Sequence, residues 1–267
     1  MLVIAGYIGA VLMGIVLGLI GGGGSILTFP VLVYFFGIEA NHATSDSLFI
    51  VGITSFIGAI GYLKNQLVSM RSVLVFGLPS IVSVYFTKRY IFPPIPGEFP
   101  VFGVIISKDF AVTVLFALLM VIASFSMIKP IKVIRQEDYE STERYRYLLI
   151  MIIGLAVGFL AGMVGAGGGF LIIPALVILA KLPMKKAIGT SLVIIFLNSS
   201  LGFAGGLSAD ANVNWNLLLS LATLSIGGIL IGLRLAKKIP GSKLKPAFGW
   251  FVLATGSLML IDKFFNH

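Results

Sequence analysis

The residues of this chain best suited to binding chemistry are main-chain amides exposed by glycine, with short runs of hydroxyls further along. Residues 14–30 read GIVLGLIGGGGSILTFP, and residues 158–174 read GFLAGMVGAGGGFLIIP. Both carry G-x-x-x-G-x-x-G-x-G-G with a proline six residues beyond the last glycine. A helix that restarts after such a break presents unpaired N–H groups and a partial positive charge, which together attract anions. Glycine permits the close backbone approach and the unusual dihedrals this needs. Gly22, Gly23, Gly24 and Ser25 in the first block, and Gly167, Gly168 and Gly169 in the second, are therefore candidate substrate-binding residues. The hydroxyl-rich runs ATSDSL (43–48) and AIGTSL (187–192) add Thr44, Ser45, Asp46, Ser47, Thr190 and Ser191. Asn198 is a further polar candidate, with Thr54, Ser55 and Ser199 weaker ones.

These residues recur because the chain is internally duplicated. Gly14, Gly18, Gly21, Gly23, Gly24 and Pro30 each return 144 positions later, and the register continues through Ala43/Ala187, Ser47/Ser191, Leu48/Leu192, Ser55/Ser199 and Gly58/Gly202. Segments 14–61 and 158–205 share sixteen identities, more than shared hydrophobic composition produces, so a duplication must be read before any fold is assigned.

The elements that position these residues are membrane helices. At 267 residues, 58% hydrophobic and 11% charged, the chain is too apolar for a soluble globule. Apolar runs such as 2–20, 110–128 and 147–164 have the length of a bilayer-spanning helix. The short alternating segments of a transmembrane barrel do not occur. The fold class expected is all-α: a polytopic membrane protein of two inverted five-helix repeats with glycine-broken hairpins. The repeats occupy 1–128 and 147–267, joined by a charged cytoplasmic linker at 129–146. In the first repeat, spans are expected at 2–20, 43–63, 72–86 and 110–128, with a half-length helix at 26–36 and a proline-rich loop at 88–109. In the second, spans are expected at 147–164, 187–207, 217–235 and 247–261, with a half-length helix at 170–180.

Five segments per repeat is an odd number, so the repeats should face opposite ways. With the linker inside, fifteen of the nineteen Lys and Arg residues fall in cytoplasmic loops, as the positive-inside rule requires. Arg71 and Arg234 then serve as topology anchors. Both termini are expected outside a multi-pass cytoplasmic (cell inner) membrane.

The glycines divide by role. Gly14, Gly18, Gly158 and Gly162 read as close-packing positions of the G-x-x-x-G type. Gly21 to Gly24 and Gly165 to Gly169 read as substrate-lining, because adjacent glycines each cost a helix interior about 1 kcal/mol and packing alone is a poor reason for a cluster. The hydroxyl runs read equally well as N-caps of the long spans and as ligand donors. Asp46 has Thr190 as its counterpart. It reads first as an N-cap carboxylate near a watery mouth and second as a proton-coupling group within a span.

An enzyme is not expected: the chain has no cysteine and two histidines, and no nucleophile, base or metal cluster emerges. No cofactor, metal or nucleic acid is expected, and no G-x-x-x-x-G-K-[ST] loop is present to bind a nucleotide. The partners expected are a small anionic substrate, a coupling proton or ion, membrane lipid and a second copy of the chain in a homodimer. A secondary transporter is the reading the broken helices favour. A passive anion channel or a non-transporting membrane protein is the alternative.

The paired glycine blocks with Pro30 and Pro174, and the A-x-x-x-S-L segments at Ala43 and Ala187, resemble the sulfite exporter TauE/SafE family of membrane permeases. The resemblance covers essentially the whole chain. It implies transport of sulfite, organosulfonates or related sulfur-containing anions across the cytoplasmic membrane. The first repeat departs from the pattern at Asp46, where a threonine is typical, and at Ser25, where its twin has glycine.

Overall fold

The computed structural model describes residues 2–38, 40–91, 94, 96–101, 104–128, 143–164, 169–178, 180–206 and 214–265. Most of the expected linker, 129–142, lies outside them, as do Gly165, Gly167 and Gly168. The protein is an all-α polytopic membrane protein. Among the described residues, six helices are long and apolar enough to cross a membrane.

The first repeat begins with α1 (Leu2–Ile20) and the short α2 (Gly23–Pro30). The chain then takes a widened π-helical turn at Val31–Phe35. Pro30 has no N–H to offer the preceding turn, and this is where the regular hydrogen-bond ladder gives way. Next come α3 (Ala40–Lys64) and α4 (Met70–Ser72), which passes through a π segment at Val73–Gly77 into α5 (Leu78–Phe86). A further π turn, Thr87–Ile91, precedes an antiparallel hairpin of β1 (Glu98–Val101) and β2 (Val104–Ser107), and α6 (Lys108–Ile128) closes the repeat. The second repeat holds α7 (Glu143–Val164), α8 (Gly169–Ile178), α9 (Met184–Gly206), α10 (Trp215–Lys238) and α11 (Gly241–Phe265).

Several boundaries differ from expectation. The half-length helix begins at Gly23, so Ser25 lies inside it. The hairpin occupies part of the loop expected at 88–109. Residues 143–146, expected in the linker, open α7. The interval between the spans expected at 217–235 and 247–261 shrinks to Ile239 and Pro240, since α10 runs through Lys238 and α11 starts at Gly241.

The helices pair across the two repeats. α1 runs alongside α10 in the same direction: Gly14 meets the Ser225 carbonyl, Gly18 meets Ile229 and Leu233, and Gly232 meets Ile15. α7 does the same with the α5 region, where Gly154, Gly158 and Gly162 meet Phe76, Ser80 and Val84 in turn. A Cβ at Gly18 would stand 2.7 Å from the Ile229 carbonyl oxygen, so only glycine allows this backbone contact. In a membrane, where lipid is as apolar as leucine, such close approach is the main source of helix affinity. The packing role expected of Gly14, Gly18, Gly158 and Gly162 is the one observed.

Equivalent helices run antiparallel. On α3 and α9, Gly202 faces Leu48, Gly52 faces Ser199, Gly58 faces Leu192 and Gly189 faces Tyr62. On α6 and α11, Gly249 faces Met127 and Ile128 while Gly256 faces Met120.

Candidate functional site

One glycine from each block, Gly22 and Gly169, is in contact. At the end of α1 the chain turns through Gly21, whose φ of +80° is a left-handed conformation that favours glycine. A Cβ there would lie 2.8 Å from Ser191 Oγ and 2.9 Å from Ile188 Cγ2, both on α9. Gly22 caps α2 from the next position and is buried. Gly169, the first residue of α8, packs directly on it: a Cβ at Gly169 would lie 2.9 Å from Gly22 Cα and 2.6 Å from Ile195 Cδ1. The first turns of α2 and α8 are therefore brought together against α9. The end of α1 is accounted for, since Gly21 N–H donates to the Leu17 carbonyl at 2.8 Å and Tyr62 Oη donates to the Gly18 carbonyl at 3.0 Å. Buried helix ends without such partners are costly within a bilayer.

Along α9, Ser191, Ile195 and Ser199 follow at intervals of four and so share one face. Ser191 touches the first break and Ile195 the second. Ser199 Oγ has no hydrogen-bond partner among the described residues. The matching stripe on α3 is Ser47, Val51 and Ser55, and Ser55 Oγ is likewise unpartnered. Both serines are 0% exposed. A buried hydroxyl left unpaired costs about 1–3 kcal/mol, so two at duplicated positions call for an occupant or a change of state. Asn198, beside Ser199, donates from Nδ2 to Ser80 Oγ at 3.0 Å, while its Oδ1 has no partner.

The hydroxyl runs behave differently from expectation. α3 starts at Ala40 and α9 at Met184, so Thr44, Ser45, Asp46, Ser47, Thr190 and Ser191 lie within the helices and none is an N-cap. Earlier starts were hidden because Asn41, His42, Lys185 and Lys186 look like loop residues yet sit in the first helical turns. Ser191 Oγ donates to the Ile188 carbonyl at 2.8 Å, so its proton is committed within α9 and it is not a free anion donor in this conformation. Thr190 Oγ1 accepts the Ser69 N–H at 2.9 Å and thereby ties α9 to the loop before α4. Asp46 and Ser47 are buried in α3, and Ser45 is half-buried.

Of the candidates, the structure brings Gly22, Gly169 and Ser191 into one place. Gly24 is the second residue of α2 and packs on α1, where a Cβ would lie 2.6 Å from the Met13 carbonyl oxygen. Gly23 opens α2, and Ser25 and Thr44 lie within α2 and α3. Gly167 and Gly168 lie outside the described residues. Sequence reasoning underweighted Ser55 and Ser199 and passed over Ser80. The 144-residue register would have supported the first two, but it shifts by one residue before Ser80, whose structural counterpart is Ser225.

Comparison with known proteins gives the family. The family model described as "Sulfite exporter TauE/SafE" matches residues 6–259. A probable membrane transporter protein of Xylella fastidiosa is 29% identical over 248 residues, covering 91% of this chain and 89% of its own. The probable membrane transporter protein YunE of Bacillus subtilis is 29% identical over 258 residues, covering 86% and 88%. One from Methanocaldococcus jannaschii is 28% identical over 274 residues, covering 98% and 95%. No solved structure matches. The chain belongs to the sulfite exporter TauE/SafE family of membrane transporters.

Proposed function

We propose that this protein is a secondary carrier for a small anion, with sulfite, an organosulfonate or a related sulfur oxyanion as substrate, bound where the two glycine breaks meet. The observation that carries the reading is the contact of Gly22 with Gly169, because it sets two helix N-termini against each other at one buried point. The substrate class comes from the family, whose name is that of a sulfite exporter. The names of the relatives support transport rather than catalysis.

The antiparallel courses of α3 with α9 and of α6 with α11 support an inverted repeat. Inverted-repeat carriers hold substrate near the bilayer midplane between half-helix ends, and the contact of the α2 and α8 starts supports the same arrangement here. Ser55 and Ser199 supply further hydroxyls that find partners when substrate arrives or the bundle changes state.

Crosswise pairing also supports a particular choice of moving bodies. The halves of the sequence cannot rock against each other as separate bundles, because α1 is locked to α10 and α7 to α5 through backbone contacts. The rocking units instead combine helices from both repeats, with α3 and α9 crossing between them.

The test is flux of labelled sulfite and of a labelled sulfonate into liposomes containing the purified protein. Saturable, protein-dependent flux is expected, and Gly23→Leu is expected to abolish it while the protein still reaches the membrane. Equal flux in empty and loaded liposomes across the sulfur oxyanions would overturn the reading.

A further inference from the structure

We infer that the end of the bundle where α9 and α11 begin and α10 ends is a binding surface for the headgroup of an anionic phospholipid. Lys185 and Lys186 lie in the first turn of α9, Lys237 and Lys238 in the last turn of α10, and Lys243 and Lys245 in the opening turns of α11. The three helix ends touch. Lys185 Nζ donates to the Lys237 carbonyl at 3.4 Å, and a Cβ at Gly241 would lie 3.4 Å from Met184 Cβ and 3.8 Å from Lys185 Cγ. Met184 and Leu244 are buried in the same apolar cluster beneath the lysines. Lys186, Lys237, Lys238 and Lys243 are exposed, and Lys185 and Lys245 are half-buried. Residues 181–186 and 234–245 contain no Asp or Glu.

A topology signal requires basic residues in such loops, but not at these places. A helix N-terminus carries partial positive charge and favours acids. Here Lys185, Lys186, Lys243 and Lys245 stand at N-termini, and neither α9 nor α11 has an acid in its first turn. Positive side chains are thus set against positive helix ends and against one another. The C-terminus of α10 offsets this in part, and its Lys237 carbonyl is already taken by Lys185. An anion shared by the three ends removes the repulsion.

The setting selects a lipid. All three helices are long and apolar enough to span the membrane, so their ends lie at the level of the headgroups. Arg234 stands one turn below Lys238 on α10, with Leu230, Ile231 and Leu235 exposed beside it. Cations above and bare apolar surface below, on one helix, match a phosphate carrying acyl chains, and a soluble anion would use the upper part alone. Basic pockets between membrane helices are where anionic headgroups bind. The first repeat lacks the equivalent: segment 37–42 has Glu39 and no lysine, and α6 opens with Lys108 beside Asp109. One such surface per chain is expected, whatever the protein carries.

The test is thermal unfolding of the purified full-length protein in neutral detergent with phosphatidylglycerol, phosphatidylcholine or glycerol 1-phosphate added, together with lipid retention in native mass spectrometry. Phosphatidylglycerol is expected to raise the melting temperature and to stay bound, and the other two are not. A variant combining Lys186→Gln, Lys238→Gln and Lys243→Gln, all at exposed positions, should bind phosphatidylglycerol at least about tenfold more weakly, since each lysine at an anionic headgroup contributes on the order of fivefold. Lys64→Gln with Arg89→Gln, which removes exposed cations elsewhere, should leave binding unchanged. Equal effects of phosphatidylglycerol and phosphatidylcholine, as for a surface already neutralised by the acidic stretch at 137–143, overturn the proposal. Equal stabilisation by glycerol 1-phosphate marks a site for a soluble anion and overturns it too. So does full phosphatidylglycerol affinity in the folded triple variant, or a matching loss in the Lys64/Arg89 variant, which shows attraction to net charge alone.

Discussion

At Gly21 the backbone sits at φ +80° with Ser191 and Ile188 pressed against the place a side chain would take, whereas Gly37 adopts φ +66° with nothing within 4 Å. The same substitution should therefore read differently at the two sites. Gly37→Ala carries only the left-handed backbone cost, about 1–2 kcal/mol, and transport should survive. Gly21→Ala adds a collision with α9 at the meeting point of the breaks, so flux should be lost and the melting temperature should fall further than for Gly37→Ala. The orphan serines give the opposite signature. Ser55→Ala and Ser199→Ala each remove an unpaired buried hydroxyl, so they should leave stability unchanged or raise it by up to about 1–3 kcal/mol while lowering transport. Matched unfolding and flux measurements would expose a purely structural serine by unchanged flux. At this scale the sequence was legible where duplication marked a residue, as with Gly21 and Ser191. It was silent on which hydroxyl protons are spent on carbonyls, because that depends on side-chain rotamers that no spacing encodes.

Helix existence was plain from hydropathy, and every expected span is present as a helix. Helix starts were not plain. Serine, threonine and aspartate at 44–47 look like caps, yet α3 begins about one turn earlier, at Ala40. The π turns after Pro30 and before Leu78 were not expected either, although the missing N–H of Pro30 marks the place of the first. The glycine faces, in contrast, could be read directly from G-x-x-x-G. Gly158→Leu, which forces a side chain into the Ser80 backbone, should part α7 from α5 and cost about 1–3 kcal/mol or more, seen as loss of folded protein in detergent rather than as altered kinetics.

For the molecule as a whole, the odd number of segments per repeat and the placement of basic residues predict both termini outside and the 64–71 loop inside. The chain has no cysteine, so single cysteines placed at 97, within 64–71 and near each terminus can be labelled one at a time from outside intact cells. Labelling is expected at 97 and at both termini but not within 64–71, and termini on opposite faces would end the inverted-repeat account. Duplication and charge asymmetry are what carry this expected topology, and both are properties of the sequence alone. The partner exchange between repeats was not readable, because sequence adjacency says nothing about which apolar stripe a helix finds across the bundle.

That exchange has a consequence for biosynthesis. The glycine face of α1 belongs to α10, and at about 5–20 residues per second the ribosome needs on the order of 10–40 s after Gly14 to make the roughly 200 residues up to Ser225. Throughout that interval the earliest helix sits in the lipid with its docking groove bare. A nascent chain halted before Trp215 should be degraded quickly, and release from that vulnerability should come only when the tenth helix leaves the translocon and closes on the first.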